Sequence, residues 1–126
     1  MTIQRRTLGQ HGEGLAVAYL QQQGYGIIAT NWRCRTGEID IIAVDGPSLV
    51  FVEVRTRRST LFGHAEESVT PSKQRRLVAL VQAYLQTLEE AQTAWPGPWR
   101  IDVVALQLSP GQPVCVQHLQ HAVEEV

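Results

Sequence analysis

Two apolar stretches decide the fold of this chain: GEIDIIAV at residues 37–44 and LVFVEVR at residues 49–55. Both are rich in β-branched residues and carry acids at alternate positions, a pattern typical of β-strands. The residues between them, 45–48, are Asp-Gly-Pro-Ser, all of them turn formers. The sequence therefore predicts a β-hairpin with a four-residue connection.

The apolar pattern also predicts the register of this hairpin. When the residues next to the turn are paired, Asp40 lies directly opposite Glu53, and Glu38 lies opposite Arg55. The other face is then wholly apolar and pairs Ile39 with Val54, Ile41 with Val52 and Ala43 with Val50. A shift of one residue would mix the two faces, so the pattern specifies the register strongly.

The opposed acids need compensation. Directly opposed residues in a hairpin have Cβ atoms about 4.5–5.5 Å apart, and like charges at that distance repel each other. A nearby cation or a retained proton would relieve the repulsion between Asp40 and Glu53. Mg²⁺ is the simplest candidate, because it takes one or two carboxylates and keeps several waters. The plainer alternative is a solvated strand face on which Arg35, Arg55 and Arg57 balance the acids.

Composition indicates one folded domain spanning residues 1–126. No apolar run approaches the length of a membrane span, and the amino terminus lacks the apolar core of a secretory signal. Cys34 and Cys115 are far apart in the sequence and predict neither a disulfide framework nor a metal site. We therefore expect a cytoplasmic protein with reduced thiols and no membrane partner.

The charge of the chain is unevenly distributed. The net charge is −1, but residues 33–76 hold eight of the 11 basic residues. These eight are Arg33, Arg35, Arg55, Arg57, Arg58, Lys73, Arg75 and Arg76. Almost all are arginines, which suit bidentate contact with phosphate. A basic region around the hairpin is the prediction, and an ordinary mixed surface is the alternative.

The remaining segments place helices around this hairpin. The predicted elements are a helix over 8–23, strands over 26–34, 37–44 and 49–55, a polar loop over 56–69, a helix that begins after Thr70 and ends before Trp95, and strands over 99–106 and 114–119. Glu13 lies at the edge of the first helix's apolar stripe, pointing either toward the acids or into water. Lys73 projects from the core-facing side of the second helix's first turn, with Arg75 and Arg76 outward. This order predicts an α/β fold with a mixed β-sheet flanked by helices.

Several of these segments together resemble a known family. The matching residues are Gly37 to Asp40, Phe51 to Arg57, Gly63, Lys73 and Arg100 to Val104. They resemble the YraN-like bacterial proteins, an uncharacterised family predicted to be endonucleases of the restriction-endonuclease-like superfamily. The resemblance extends from Gly12 to about Leu119. It implies an αβββαβ core with an extra C-terminal strand.

The resemblance also implies roles for particular residues. The superfamily pattern is an acid on one strand and acid-x-Lys on the next, so Asp40 and Glu53 become metal ligands. The Val54 carbonyl joins them, and Glu13 supplies the acid from the first helix.

One position departs from that pattern, because Arg55 stands where the superfamily has lysine. An arginine is never deprotonated in a protein, so it cannot act as a general base. It can hold a phosphate or stabilise developing charge. Lys73, the only lysine of the chain, is the alternative source of the ammonium group.

The leading hypothesis is a Mg²⁺- or Mn²⁺-dependent endonuclease that hydrolyses DNA phosphodiester bonds. Arg35, Arg57, Arg58, Arg75 and Arg76 would contact the flanking phosphates. Nothing in the sequence resembles a base-reading module, so we expect recognition of branched DNA or of free ends, as by a resolvase. The alternatives are a non-catalytic nucleic-acid-binding or assembly protein with the nuclease fold, and an oligomeric scaffold that uses Trp95 and Trp99. The sequence leaves open whether the chain forms a homo-oligomer.

Overall fold

The computed structural model describes residues 3–58 and 69–123, with the side chains of the first helix described from residue 10 onward. The elements are α1 (Ile3–Gln22), β1 (Gly26–Cys34), β2 (Gly37–Asp45), β3 (Ser48–Arg57), α2 (Pro71–Glu90), β4 (Trp99–Gln107) and β5 (Cys115–Leu119). The predicted order is confirmed, although α1 begins earlier than residue 8. Gly63 and most of the predicted polar loop lie outside the described residues.

The five strands form one sheet in the order β1-β2-β3-β4-β5. All neighbours are antiparallel except β3 and β4, which are parallel. A parallel pair needs a crossover connection, and α2 supplies it. The result is the predicted α/β architecture, a mixed sheet flanked by helices. Among the described residues, no helix is both long and apolar enough to cross a membrane.

The two helices pack on opposite faces of the sheet and create two apolar layers. The α2-side core contains Leu77, Leu80 and Val81 from the helix, packed against sheet residues such as Phe51 and Ile101. The α1-side core contains Ala16 and Leu20 from the helix, with sheet residues Ile41, Ala43, Val50, Val52, Val104 and Leu106. Alternate residues of each strand therefore face alternate helices, as strand geometry requires.

The helix ends coincide with the capping residues that the sequence contains. Thr70 caps α2, since its hydroxyl oxygen accepts a hydrogen bond from the Lys73 N–H at 3.2 Å, and Pro71 occupies the first turn. Gly24 follows the end of α1 with a φ of 92°, a left-handed conformation that suits glycine. The start of α2 lies at the same end of the sheet as the end of β3, because the crossover begins there.

The hairpin has the predicted register but a tighter turn. The observed pairs are Ile41 with Val52, Ile42 with Phe51, Ala43 with Val50, Val44 with Leu49 and Asp45 with Ser48. The last pair makes Asp45 and Ser48 strand residues, so only Gly46 and Pro47 connect the strands. The prediction of a four-residue connection was therefore wrong. Gly46 adopts a φ of 57°, which permits the shorter turn.

Gly12 lets α1 approach β3 closely, and this contact gives a stability prediction. A Cβ at Gly12 would collide with the hydroxyl of Thr56, whereas a Cβ at Gly14 meets no atom within 4 Å. We expect Gly12→Ala to lower the free energy of unfolding by about 1–3 kcal/mol, because Thr56 is β-branched and cannot easily move away. Gly14→Ala should instead be neutral or stabilising by up to about 1 kcal/mol. Urea denaturation of both variants measures the difference, and equal effects would contradict the proposed contact.

Candidate active site at the open end of the hairpin

Strand β2 changes faces at Asp40. Ile41 belongs to the α1-side core, but Ile39 packs in the α2-side core together with Ile42. Strict alternation would have placed Ile39 on the same face as Ile41, so the predicted pairing of Ile39 with Val54 on that face was wrong. The neighbouring strand is irregular at the same level: Asn31, between the residues paired with Ile39 and Ile41, has a φ of 53°. Asp40 therefore lies at a local break in the sheet.

The carboxylate of Asp40 takes the place of a missing backbone partner. The pairs of β2 with β3 end at Ile41 and Val52, so the predicted direct pairing of Asp40 with Glu53 was wrong. Instead, the N–H of Val54 donates a hydrogen bond of 2.8 Å to Oδ2 of Asp40. The N–H and C=O of one strand residue project toward the same neighbour, so the Val54 carbonyl faces the same gap. This brings together the Asp40 side chain and the Val54 backbone.

The electrostatic environment of Asp40 shows which acids lie near it. Burial, together with the negative charges of Glu53, Glu13 and Glu38, raises the pKa of Asp40 to about 7. The hydrogen bond from the Val54 N–H only partly opposes these effects. Asp40 is therefore affected by the charges of three other acids, contributed by α1, β2 and β3. Glu13 is half-buried on α1, and its charge acts on Asp40.

Arg55 forms an ion pair with Glu53. Its Nη2 lies 3.5 Å from Oε1 of Glu53, and the two side chains are 23% and 13% exposed. The predicted pairing of Arg55 with Glu38 was wrong. Glu38 instead forms an ion pair of 3.1 Å with Arg33 of β1, because those two residues face each other in the β1–β2 pairing. Arg55 therefore belongs to the interior of the acid cluster.

The donor set suits a hard divalent cation. The carboxylates of Asp40 and Glu53 and the carbonyl of Val54 are oxygen donors, which Mg²⁺ and Mn²⁺ prefer. The acid cluster that raises the pKa of Asp40 would be relieved by a cation placed within it. Within residues 3–58 and 69–123, no group of three or more His, Cys, Asp or Glu side chains is arranged to hold a metal ion. Two carboxylates and one carbonyl would hold such an ion only with water as the remaining ligands.

Lys73 stands at the same end of the sheet as the acids. It lies in the first turn of α2, and its side chain is half-buried. Leu77, one turn later on the same side of α2, lines a small cavity together with Glu53. The first turns of α2 therefore lie near Glu53.

The other predicted phosphate-binding residues surround this end of the molecule. All five are exposed: Arg35 in the β1–β2 turn, Arg57 and Arg58 at the end of β3, and Arg75 and Arg76 in the first turns of α2. They leave a basic rim around a cluster of partly buried acids. Such a distribution attracts a polyanion while keeping negative charge available for a metal ion.

A second polar cluster was missed by the sequence reasoning. Asp102 is fully buried, and its two oxygens accept hydrogen bonds from Arg100 Nε at 2.9 Å and the His121 N–H at 3.0 Å, and contact His118 Nε2 at 2.8 Å. Arg100 also binds Asp45 of β2 at 3.0 Å. Residues two apart share a strand face, so Arg100 and Asp102 could have been paired from the sequence. The partner on β5 could not, because its position depends on the pairing of β4 with β5.

A five-stranded mixed sheet with one helix on each face, and an acid pair at the break between β2 and β3, define a restriction-endonuclease-like α/β protein. Residues 12–106 match the model of Uncharacterised protein family UPF0102, and the chain belongs to this family, whose members are YraN-like proteins. Its relatives include UPF0102 proteins of Herpetosiphon aurantiacus, 54% identical over 95% of this chain and 96% of the relative, and of Chloroflexus aurantiacus, 49% identical over 99% of both. A third, from Mycolicibacterium vanbaalenii, is 44% identical over 94% of this chain and 95% of the relative.

Proposed function

We propose that this protein is a metal-dependent endonuclease that hydrolyses DNA phosphodiester bonds in the cytoplasm. The observation that carries the proposal is the position of Asp40. Its carboxylate is held by the Val54 N–H at a break in the sheet, beside Glu53 and within reach of the charge of Glu13. A structural acid on a regular strand would not need such a break, and three more acids around it would destabilise the fold without a ligand.

Asp40, Glu53 and the Val54 carbonyl would hold Mg²⁺ or Mn²⁺, with Glu13 at the edge of the site. When bound, the ion supplies a Lewis acid for the phosphate and lowers the pKa of a bound water. The protein's own task is to position the phosphate and to balance its charge. Arg55, which pairs with Glu53, and Lys73, in the first turn of α2, would serve that purpose.

DNA binding would rest on the exposed arginines. Arg35, Arg57, Arg58, Arg75 and Arg76 surround the acid cluster and would contact phosphates rather than bases. None of the described elements is a recognition helix set apart for the major groove. We therefore propose selection by DNA shape, with branched DNA or DNA with free ends as the substrate. A homo-oligomer would supply two cutting sites for a branched substrate.

The second candidate is a non-catalytic nucleic-acid-binding or assembly protein. The observation that favours it is Arg55, which stands where the superfamily has lysine and cannot act as a general base. Calorimetric titration with Mn²⁺ separates the two candidates. Mn²⁺ binding that is lost in the Asp40 variant supports the nuclease, whereas DNA binding without any Mn²⁺ binding supports the second candidate.

Cleavage of a nicked or branched DNA substrate in the presence of Mn²⁺ tests the proposal directly. We expect Glu53→Gln to reduce the cleavage rate by at least about a hundredfold, because the loss of one ligand charge weakens both metal binding and its effect in the transition state. Glu89→Gln is the control, since Glu89 is an exposed acid in the last turn of α2, at the other end of that helix from Lys73. Equal cleavage by the Glu53 variant and the wild type would rule out the proposed site.

A further inference from the structure

Arg55 carries an unusual pair of nitrogen atoms. Its Nε and Nη2 are both buried, and neither makes a hydrogen bond within the described part of the structure. The contact of Nη2 with Glu53 is an ion pair at 3.5 Å without hydrogen-bond geometry. Buried donors without a partner are destabilising and rare in proteins, so each calls for an explanation.

These two nitrogens form one edge of the guanidinium group. Nε–H and one N–H of Nη2 point in parallel, and together they match two oxygen atoms of a carboxylate or a phosphate. In Arg100, the same edge of the guanidinium group makes hydrogen bonds to a carboxylate. Its Nε and Nη2 lie 2.9 Å and 3.4 Å from the two oxygens of Asp102. The edge of Arg100 is therefore saturated by the protein, whereas that of Arg55 is directed to the acid cluster without being bound there.

We infer that the Nε/Nη2 edge of Arg55 is the phosphate receptor of the candidate site, and that it couples phosphate binding to metal binding through Glu53. The inference rests on the proposed function and deepens it, since it names the ligand class of one particular residue. The ligand is a phosphodiester monoanion, which offers two non-bridging oxygens to one guanidinium edge.

The coupling follows from the shared partner. In the protein without ligands, Glu53 balances the charge of Arg55, and both side chains are largely buried. A divalent cation bound to Glu53 would leave Arg55 without its counter-charge, so Arg55 would bind a phosphate more tightly. A phosphate bound to Arg55 would in turn free the Glu53 carboxylate to bind the cation. Each ligand therefore favours the other, and the effect must be the same in both directions.

This coupling also gives a reason for arginine at this position. A lysine ammonium could balance Glu53 as a point charge, but it has no planar edge that matches two phosphate oxygens. Arg55 can leave Glu53 only when a bidentate acceptor replaces it. Metal binding in the absence of a phosphate is then weakened. The cation on Glu53 and the phosphate on Arg55 are both in place only when the substrate is present.

The test is the affinity for Mn²⁺, measured by the electron paramagnetic resonance signal of the free ion, with and without dimethyl phosphate as the probe. For the wild type, we expect saturating dimethyl phosphate to tighten Mn²⁺ binding by about fivefold or more, a typical coupling between two sites. For Arg55→Gln, we expect tighter Mn²⁺ binding in the absence of the probe and a phosphate effect below about twofold. Arg55→Lys, which retains the charge but not the edge, should show wild-type Mn²⁺ affinity without the probe and a reduced phosphate effect.

Arg33→Gln is the control, because it removes one positive charge from an exposed residue on β1 and should leave the coupling intact. Circular dichroism of each variant tests whether it is folded. If Arg55→Gln is unfolded, the phosphate effect measured for Arg55→Lys tests the inference instead. Mn²⁺ binding by the wild type together with an unchanged phosphate effect in both Arg55 variants would overturn this inference alone. No Mn²⁺ binding by the wild type, with or without the probe, would overturn it together with the proposed metal site.

Discussion

Replacing Asp102 by Ala is expected to lower the free energy of unfolding by about 3–5 kcal/mol, the usual result of breaking a buried ion pair by removing one partner. Asp102 is fully buried, and the truncation would leave the guanidinium of Arg100 and the ring of His118 without their acceptor. Both side chains are themselves mostly buried, at 15% and 8% exposure, so water cannot easily replace the carboxylate. For a domain of this size, such a loss is a large part of the total stability.

Asp45→Ala is the matched control for this experiment. Asp45 contacts the same Arg100, at 3.0 Å, but its side chain is 40% exposed. We expect its removal to lower the free energy of unfolding by only about 0–1 kcal/mol, as for other exposed ion pairs. Urea denaturation near neutral pH measures both variants. Similar losses for the two would show that burial of Asp102 is not the deciding factor.

The pH dependence of stability should carry the signature of Asp102. Burial alone would raise its pKa, but hydrogen bonds from His118, Arg100 and the His121 N–H lower it below the ordinary range. Since the unfolded chain binds a proton more readily than the folded one, Asp102 stabilises the fold above the ordinary carboxylate pKa of about 3.9. This stabilisation is lost as the pH falls through the lower pKa of the folded state.

The two polar clusters differ in what the sequence can predict. The register of the hairpin followed from alternation of apolar residues, and this was enough to bring Asp40 near Glu53. The change of face at Asp40 was not predicted, because it depends on a left-handed residue in the neighbouring strand. Asn31 was the available signal, since asparagine tolerates positive φ better than other residues with a side chain.

The partners of Asp102 could not be predicted from the sequence for a different reason. His118 contacts Asp102 only because β5 pairs with β4 in one particular register, in which His118 lies opposite Val104. A sequence pattern of period two identifies the face of a residue but not its partner on a strand far away in the chain. A short turn joins the strands of Asp40 and Glu53, so alternation could bring these two residues near each other, whereas no such connection joins Asp102 to His118.

The two clusters also use their acids in opposite ways. Hydrogen bonds from cations and from a backbone N–H satisfy Asp102, and the pKa is lowered. Around Asp40, burial and three other acids raise the pKa to about 7, and only one hydrogen bond opposes them. The satisfied carboxylate of Asp102 stabilises the fold, whereas the charged carboxylate of Asp40 destabilises it. Strain of this kind is concentrated at functional sites, where a ligand removes it.

Replacing Asp40 by Asn should therefore stabilise the metal-free protein and abolish its cleavage of DNA. Between the ordinary carboxylate pKa of about 3.9 and the folded pKa of about 7, the folded state binds the proton more tightly than the unfolded state. The stability of the wild type should fall as the pH rises through this range. At pH 8, where the carboxylate is charged, Asp40→Asn should raise the free energy of unfolding by about 2–4 kcal/mol, and below pH 4 it should have little effect.

The same substitution removes a metal ligand, because an amide cannot supply the negative charge. We expect Mg²⁺-dependent cleavage to fall by on the order of a thousandfold, equivalent to about 4 kcal/mol of transition-state stabilisation. The amide oxygen can still accept the hydrogen bond from Val54, so the local backbone should be preserved. Thermal denaturation at pH 4 and pH 8 and a cleavage assay test both effects, with Glu89→Gln, an exposed acid in the last turn of α2, as the control. An inactive variant that is more stable than the wild type at pH 8 excludes unfolding as the cause. A variant that loses stability at pH 8, or that retains cleavage, contradicts the assignment of Asp40 to the site.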